Sequence, residues 1–317
     1  MFIGRKKEIQ QIHESLKTDR SSILVYGRRR IGKTSLINEA LKTYAGIKIV
    51  YTAIPDEIER NTLNLSRISG EILHEPWMSF SSFQDYLSYL SKREEKIVLV
   101  IDEYQDMRGK DEKQALVIDA WLRDFIDYKG SNIKLILSGS AIRILQSLAK
   151  DNTNPLFGRF SSIINLQELN YLEASEFYKN SSIMEKIGYY AVFGGLPNIL
   201  SLIDERKGLR GNIESLLLQT EGIARYYVDT ITSTEVSAIN NGNIIIRRIG
   251  NGKKHYGEIE STIQDEKARK QLSKTLNELI ELELIEKHFP INKKNDKKKS
   301  FYVIKSNLLR FWYSYLD

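Results

Sequence analysis

One short stretch, Gly27-Arg-Arg-Arg-Ile-Gly-Lys-Thr34, constrains this chain more than any other. It fits the spacing G-x-x-x-x-G-K-[ST], a loop that wraps a polyphosphate in backbone N–H groups. Gly27 and Gly32 let the chain turn sharply enough to aim those groups inward. Lys33 has the length to reach β- and γ-phosphates, and the Thr34 hydroxyl suits Mg²⁺. The motif is meaningful only between a strand and a helix. Ser22-Ile-Leu-Val-Tyr26 precedes it as a short apolar run, and Lys33–Tyr44 reads as a helix whose N-terminal dipole favours an anion.

Bulk properties narrow the class. Among 317 residues there is no cysteine, which excludes a disulfide scaffold and thiolate metal sites. Four histidines without an H-x-x-x-H pair make a histidine metal site a poor reading. No apolar run is long enough to cross a membrane, and the N-terminus lacks the layout of a signal peptide, so a cytoplasmic protein without a membrane partner is expected. The net charge is +6, with an excess of Lys and Arg in the last segment, which reads either as an ordinary solvated surface, the reading charge alone favours, or as a face for an acidic partner such as nucleic acid.

Taken in order, Phe2–Thr18 carries Ile9, Ile12, His13 and Leu16 at helical spacing. Ile47–Ile54 reads as a strand. Asp56–Leu90 is helical in character with poor periodicity. Ile97–Ile101 is a continuous apolar run, as in a parallel strand buried on both faces, and ends in Asp102-Glu103. Lys113–Tyr128 predicts a helix with Leu116, Ala120 and Phe125 on its buried side. Ile133–Leu137 is a strand ending in Ser138-Gly139-Ser140, followed by a helix to about Lys150, and Ser162–Leu166 is one more strand. Strands alternating with helices imply right-handed crossovers and a mostly parallel sheet. The expected fold is therefore α/β, a P-loop NTPase sheet over residues 1–168. A helical lid is expected at 169–233, broken by Gly194-Gly-Leu-Pro197, and a winged helix-turn-helix at 234–317. The last part contains a helix at Glu266–Glu283 and two strands, Leu284–Phe289 and Ser300–Ile304, around a lysine-rich tip.

Several residues carry chemistry. Asp102 ends a buried strand, where the carboxyl edge of such a sheet meets its ligand, and is expected to hold Mg²⁺ with Thr34. Glu103 is placed to orient and deprotonate an attacking water. Ser138 and Ser140 end the next strand in the same crevice, either as hydrogen-bond donors to the γ-phosphate or the water, or as turn formers. Arg159 follows Pro155-Leu-Phe-Gly158 and reads either as an arginine supplied to a phosphate, in cis or from a neighbouring subunit, or as a surface residue. Arg28, Arg29 and Arg30 lie inside the loop and read as surface or interdomain contacts first and nucleotide contacts second. On the Glu266–Glu283 helix, Lys267, Lys270 and Lys274 share one side while Leu272, Leu276 and Leu279 share nearly the opposite one. That suits either a recognition helix on DNA phosphates, with Lys297 and Lys298 of the wing adding to it, or an ordinary amphipathic helix with a charged surface, or a winged domain that contacts protein.

At these residues the sequence resembles the archaeal ATPase family of P-loop proteins, a branch of the STAND class related to AAA+ and origin-recognition ATPases. Phe2-Ile-Gly-Arg-x-x-Glu8 resembles its N-terminal box, implying that Gly4 and Arg5 lie near adenine. Tyr26–Leu36, which includes Ile31 and Ser35, resembles its P-loop, and Leu99–Gln105 its Walker B segment. Ser138-Gly-Ser140 resembles its sensor-1 strand end, Pro155–Arg159 its arginine loop, and Gly194–Pro197 the lid element whose proline packs on adenine. The resemblance implies ATP or ADP, a five-stranded sheet, a lid and a winged helix. Longer members continue past a segment like Phe311-Trp312 into a nuclease-like domain, so nuclease activity is not expected here. No N-K-x-D guanine box is present, which favours ATP over GTP. Two functions fit: a Mg²⁺-dependent ATPase switch coupled to a winged helix on double-stranded DNA, with a homo-oligomer or protein partner, or a nucleotide-stabilised binding module with negligible turnover.

Overall fold

The computed structural model describes residues 2–128, 130, 132–291 and 299–317. It divides into two compact units, Met1–Gln167 and Glu168–Asp317.

The first unit alternates strands with helices. Its elements are α1 (Lys6–Lys17), β1 (Ser22–Tyr26), α2 (Lys33–Ala40), β2 (Ile47–Thr52), α3 (Ile58–Ile72), α4 (Phe83–Ser91), β3 (Ile97–Asp102), α5 (Tyr104–Arg108), α6 (Glu112–Tyr128), β4 (Ile133–Gly139), α7 (Ile142–Lys150) and β5 (Ser162–Asn165). The five strands pair in parallel in the order β2-β3-β4-β1-β5. Helices cover both faces, and this is why β1, β3 and β4 are buried along their whole length and read as continuous apolar runs. Ile23, Val25, Val98, Val100, Ile136 and Ile164 face Ile12 and Leu16 of α1 and Leu36 and Ile37 of α2. The alternate residues, among them Leu24, Leu99, Ile101, Leu135 and Leu137, join Leu65, Phe83, Leu87, Leu122 and Leu145 on the other face. Each such aliphatic side chain contributes about 1.5–3 kcal/mol on burial.

Two expectations are refined in this unit. The stretch 56–90 is two helices separated by an irregular segment, and α4 starts on the Ser82 side chain, which accepts from Asp85 N. The buried side of α6 is Ala115, Ile118, Asp119, Leu122, Phe125 and Ile126, whereas Leu116 is 39% exposed. Leu116 was expected inside; the helix is rotated because a carboxylate, Asp119, occupies its inner face.

The second unit is helical with a two-stranded sheet. It runs α8 (Tyr171–Ala174), α9 (Ile183–Phe193), α10 (Pro197–Leu200), α11 (Gly208–Ile213), α12 (Ile223–Ile231), α13 (Gly242–Gly250), α14 (Tyr256–Ser261), α15 (Glu266–Glu281), β6 (Ile285–His288), β7 (Phe301–Ile304) and α16 (Asn307–Tyr315). Capping boxes at Asn170 and Ser182 fix the starts of α8 and α9. β6 and β7 are antiparallel, with Ile285 opposite Ile304. One core runs through the unit, from Phe193 and Leu200 through Ile245 and Leu272 to Leu309. Lys297 and Lys298 lie outside the described residues.

Candidate functional site

β4 lies between β1 and β3, so the loops leaving β1 and β3 emerge on the same edge of the sheet, one strand apart. This brings Gly27–Thr34, Asp102-Glu103 and Ser138–Ser140 together.

The loop after β1 is fixed by close packing. A Cβ on Gly27 would lie 2.4 Å from the Leu166 carbonyl oxygen, and Gly32 opens α2 with φ 95°, a region that favours glycine. Lys33 is buried and donates from Nζ to the carbonyls of Gly27 (3.0 Å) and Arg28 (3.1 Å), so its ammonium sits in the concavity of the loop. The Thr34 hydroxyl donates to Asp102 Oδ2 at 2.5 Å. Asp102 Oδ1 accepts from the Glu103 backbone N–H at 3.0 Å, with Glu103 in the left-handed region at φ 51°. Glu103 Oε2 accepts from Gln105 Nε2 (2.5 Å), Ser140 Oγ (2.8 Å) and Ser140 N (3.1 Å). The Ser138 hydroxyl is fully buried at the end of β4 and has no hydrogen-bond partner among the described residues.

The N-terminal box reaches the same loop. Arg5 is buried, has φ 63° and donates from Nη2 to the Ile31 carbonyl at 3.2 Å, with Glu8 at 3.6 Å. Gly4 precedes it at φ 74°. The three arginines of the loop part company. Arg28 is 5% exposed, which corrects its reading as a surface residue, and its backbone carbonyl accepts from Lys33. Arg29 and Arg30 are exposed, as is Ser35, and Ile31 is buried. Burial raises the Asp106 carboxyl above its ordinary value, the charge of Glu103 adds to this, and Arg29 opposes it.

Arg159 is not part of this cluster. It precedes β5 and its guanidinium pairs with Asp127, just before β4, at 3.2 Å. Arg20, just before β1, donates to the Asp127 carbonyl. All three sit where strands begin, on the edge of the sheet opposite the loop. β1 has 5 residues, so the two edges are separated by roughly 16 Å at about 3.3 Å per residue. Arg159 therefore does not reach the loop of its own chain.

In the second unit, Pro197 is the first residue of α10 and half-buried. Its preceding turn is tight: a Cβ on Gly195 would fall 2.0 Å from the Leu169 carbonyl oxygen, and Leu169 N donates to Gly195 O. On α15, Lys267, Lys270 and Lys274 are all exposed, opposite buried Leu272, Leu276 and Leu279. Lys270 pairs with Glu266 at 2.8 Å, and Lys274 lies 4.0 Å from Glu278.

Sequence reasoning missed a buried polar hub behind the cluster. Asp119 accepts from Tyr104 Oη (2.7 Å), Arg108 Nε (2.9 Å) and Nη2 (2.7 Å), and Asn154 Nδ2 (2.9 Å). It ties α5, which follows Glu103, to α6 and to the loop leading to Arg159. The signal was present: Ala115, Asp119, Leu122 and Ile126 follow helical spacing, which places the acid on the apolar face.

Comparison with known proteins gives one family match, one sequence relative and likenesses of fold. A family described as an ATPase domain predominantly from Archaea matches residues 2–203. An uncharacterized protein of Methanocaldococcus jannaschii is 27% identical over 318 residues, covering 100% of this chain and 69% of that protein. A Walker-type ATPase of Pyrococcus abyssi superposes with a TM-score of 0.67 at 16% identity, covering 98% of this chain and 96% of the other. The ORC2 protein of Aeropyrum pernix, solved as ADPNP–ADP complexes, superposes with a TM-score of 0.56 at 13% identity, covering 98% and 92%. These two likenesses are of fold.

Proposed function

The chain belongs to the archaeal ATPase family, and on that premise we propose that it is a Mg²⁺-dependent ATPase whose nucleotide state controls a DNA-binding winged helix. The observation that carries the ATPase reading is the 2.5 Å contact between Thr34 and Asp102, with Lys33 and Glu103 adjoining on either side. Two hard oxygen donors at the mouth of a phosphate loop fit Mg²⁺, which keeps several waters and takes its remaining ligands from phosphate. Among the described residues no group of three or more His, Cys, Asp or Glu could hold a metal ion by itself, in keeping with a metal that comes with the nucleotide. When bound, Mg²⁺ neutralises charge on the phosphate oxygens. The residues of the chain do the rest. Backbone N–H groups of 27–34 and the Lys33 ammonium hold the phosphates, Glu103 orients a water and accepts its proton, and Ser138 offers a hydroxyl to the γ-phosphate or that water. Arg5 and Gly4 serve the adenine side.

Residues 169–233 are the lid and 234–317 the winged helix in this reading, with α15 as recognition helix and β6–β7 as wing. No helix among the described residues is long and apolar enough to cross a membrane.

ATP turnover of the wild type, Lys33→Ala and Glu103→Gln tests the enzyme. Loss of binding in the first and of turnover with retained binding in the second are expected, each by about 100-fold or more. Equal rates in all three would remove it.

A further inference from the structure

Glu103 is held more tightly than a residue at a strand end requires. Three donors converge on Oε2: the Gln105 amide, the Ser140 hydroxyl and the Ser140 backbone N–H. None of the hydrogen bonds among the described residues goes to Oε1. The backbone is pinned as well, by the Glu103 N–H on Asp102 Oδ1 and by Asp106 N on the Glu103 carbonyl at 2.8 Å.

The Gln105 amide holds its place against resistance. Its Oε1 is buried with no hydrogen-bond partner among the described residues, a destabilising arrangement for a carbonyl. The space it fills exists because residue 139 is glycine. A Cβ there would come within 2.1 Å of Gln105 Oε1 and 3.3 Å of its Cδ. Leu145 Cδ2, at 3.2 Å, is the other near neighbour, so both obstacles are side-chain ends and the strand itself has room for alanine. A glutamine with one amide end bonded to Glu103 and the other left unsatisfied is kept for what it does to Glu103.

We propose that Gln105 is a positioning residue: with Ser140 it fixes the Glu103 carboxylate so that Oε1 is the oxygen presented to the attacking water, and Gly139 is glycine to admit the amide. This rests on the reading of Glu103 as the base in ATP hydrolysis. Gln105 acts through Glu103 and touches no nucleotide, so it governs the chemical step and leaves binding alone.

Steady-state ATP hydrolysis, binding of a non-hydrolysable ATP analogue, thermal unfolding and crystal structures of Gln105→Leu and Gly139→Ala test this. The first variant deletes the donor; the second keeps glutamine and displaces it. In both, kcat is expected to fall about 100-fold, the cost of misplacing a reacting group by roughly 1 Å. KM and analogue affinity stay unchanged, melting temperature does not fall, and the Glu103 carboxylate leaves Ser140. An unchanged or increased kcat, or a loss of affinity or melting temperature in step with activity, overturns the proposal. If wild type and Glu103→Gln hydrolyse ATP equally, the ATPase reading fails instead. The crystal structures then decide the clamp alone, and a Glu103 still on Ser140 in both variants overturns it.

Discussion

Asp119 shows how much a single residue can organise. Its carboxylate is fully buried and takes four hydrogen bonds, two of them from the Arg108 guanidinium in a forked pair. Burial, first, and the neighbouring Asp119 charge push the Tyr104 hydroxyl well above its ordinary value, so it remains a donor at any working pH. Asp119→Ala is expected to destabilise the first unit by about 3–5 kcal/mol, because it strands a buried guanidinium rather than merely deleting a contact. Denaturant unfolding should show a lower midpoint at an unchanged slope. Tyr104→Phe leaves the ion pair intact and should cost nearer 1–2 kcal/mol; equal losses in the two variants would mean that packing around the ring, and not charge, is what the hub supplies.

At the scale of an element, α15 carries the proposal of DNA contact. Its inner face is fixed by Leu272, Leu276 and Leu279, which leaves Lys267, Lys270 and Lys274 no choice but solvent. The lysines of the pairs with Glu266 and Glu278 are exposed and each pair stabilises the helix by well under about 1 kcal/mol, so a phosphate can displace them. Replacing all three lysines by alanine should weaken binding to a non-specific duplex and reduce the slope of log K against log salt by about one per lysine. A slope that stays the same after the triple replacement removes α15 from the interface. α6 makes the complementary point. Apolar spacing gave its helix correctly, but placed Leu116 inside, because periodicity counts hydrophobic residues and gives no weight to an acid that finds a buried cationic partner.

At the scale of the whole molecule, Arg159 is the informative residue. It precedes β5 on the edge of the sheet away from the phosphate loop, paired with Asp127. An arginine acting on phosphate from that edge must do so on the nucleotide of a second copy. Lys33→Ala retains Arg159, and Arg159→Ala retains the loop. Each alone should turn over ATP at least about 1,000-fold more slowly than wild type, and a mixture of the two should recover activity that neither has. A mixture no faster than the sum of its components counts against action between copies. The sequence by itself determined the phosphate loop, the strand-end acids and the α/β alternation, because each depends on residues near one another in the chain: glycines where the backbone must bend, continuous apolar runs where both faces of a strand are covered. The pairing of Thr34 with Asp102, the convergence of Gln105 and Ser140 on Glu103, the Asp119 hub and the distance of Arg159 from the loop were decided only by the tertiary structure. They follow from the order β2-β3-β4-β1-β5, which places distant segments side by side through parallel crossovers, and spacing along the chain carries no record of that order.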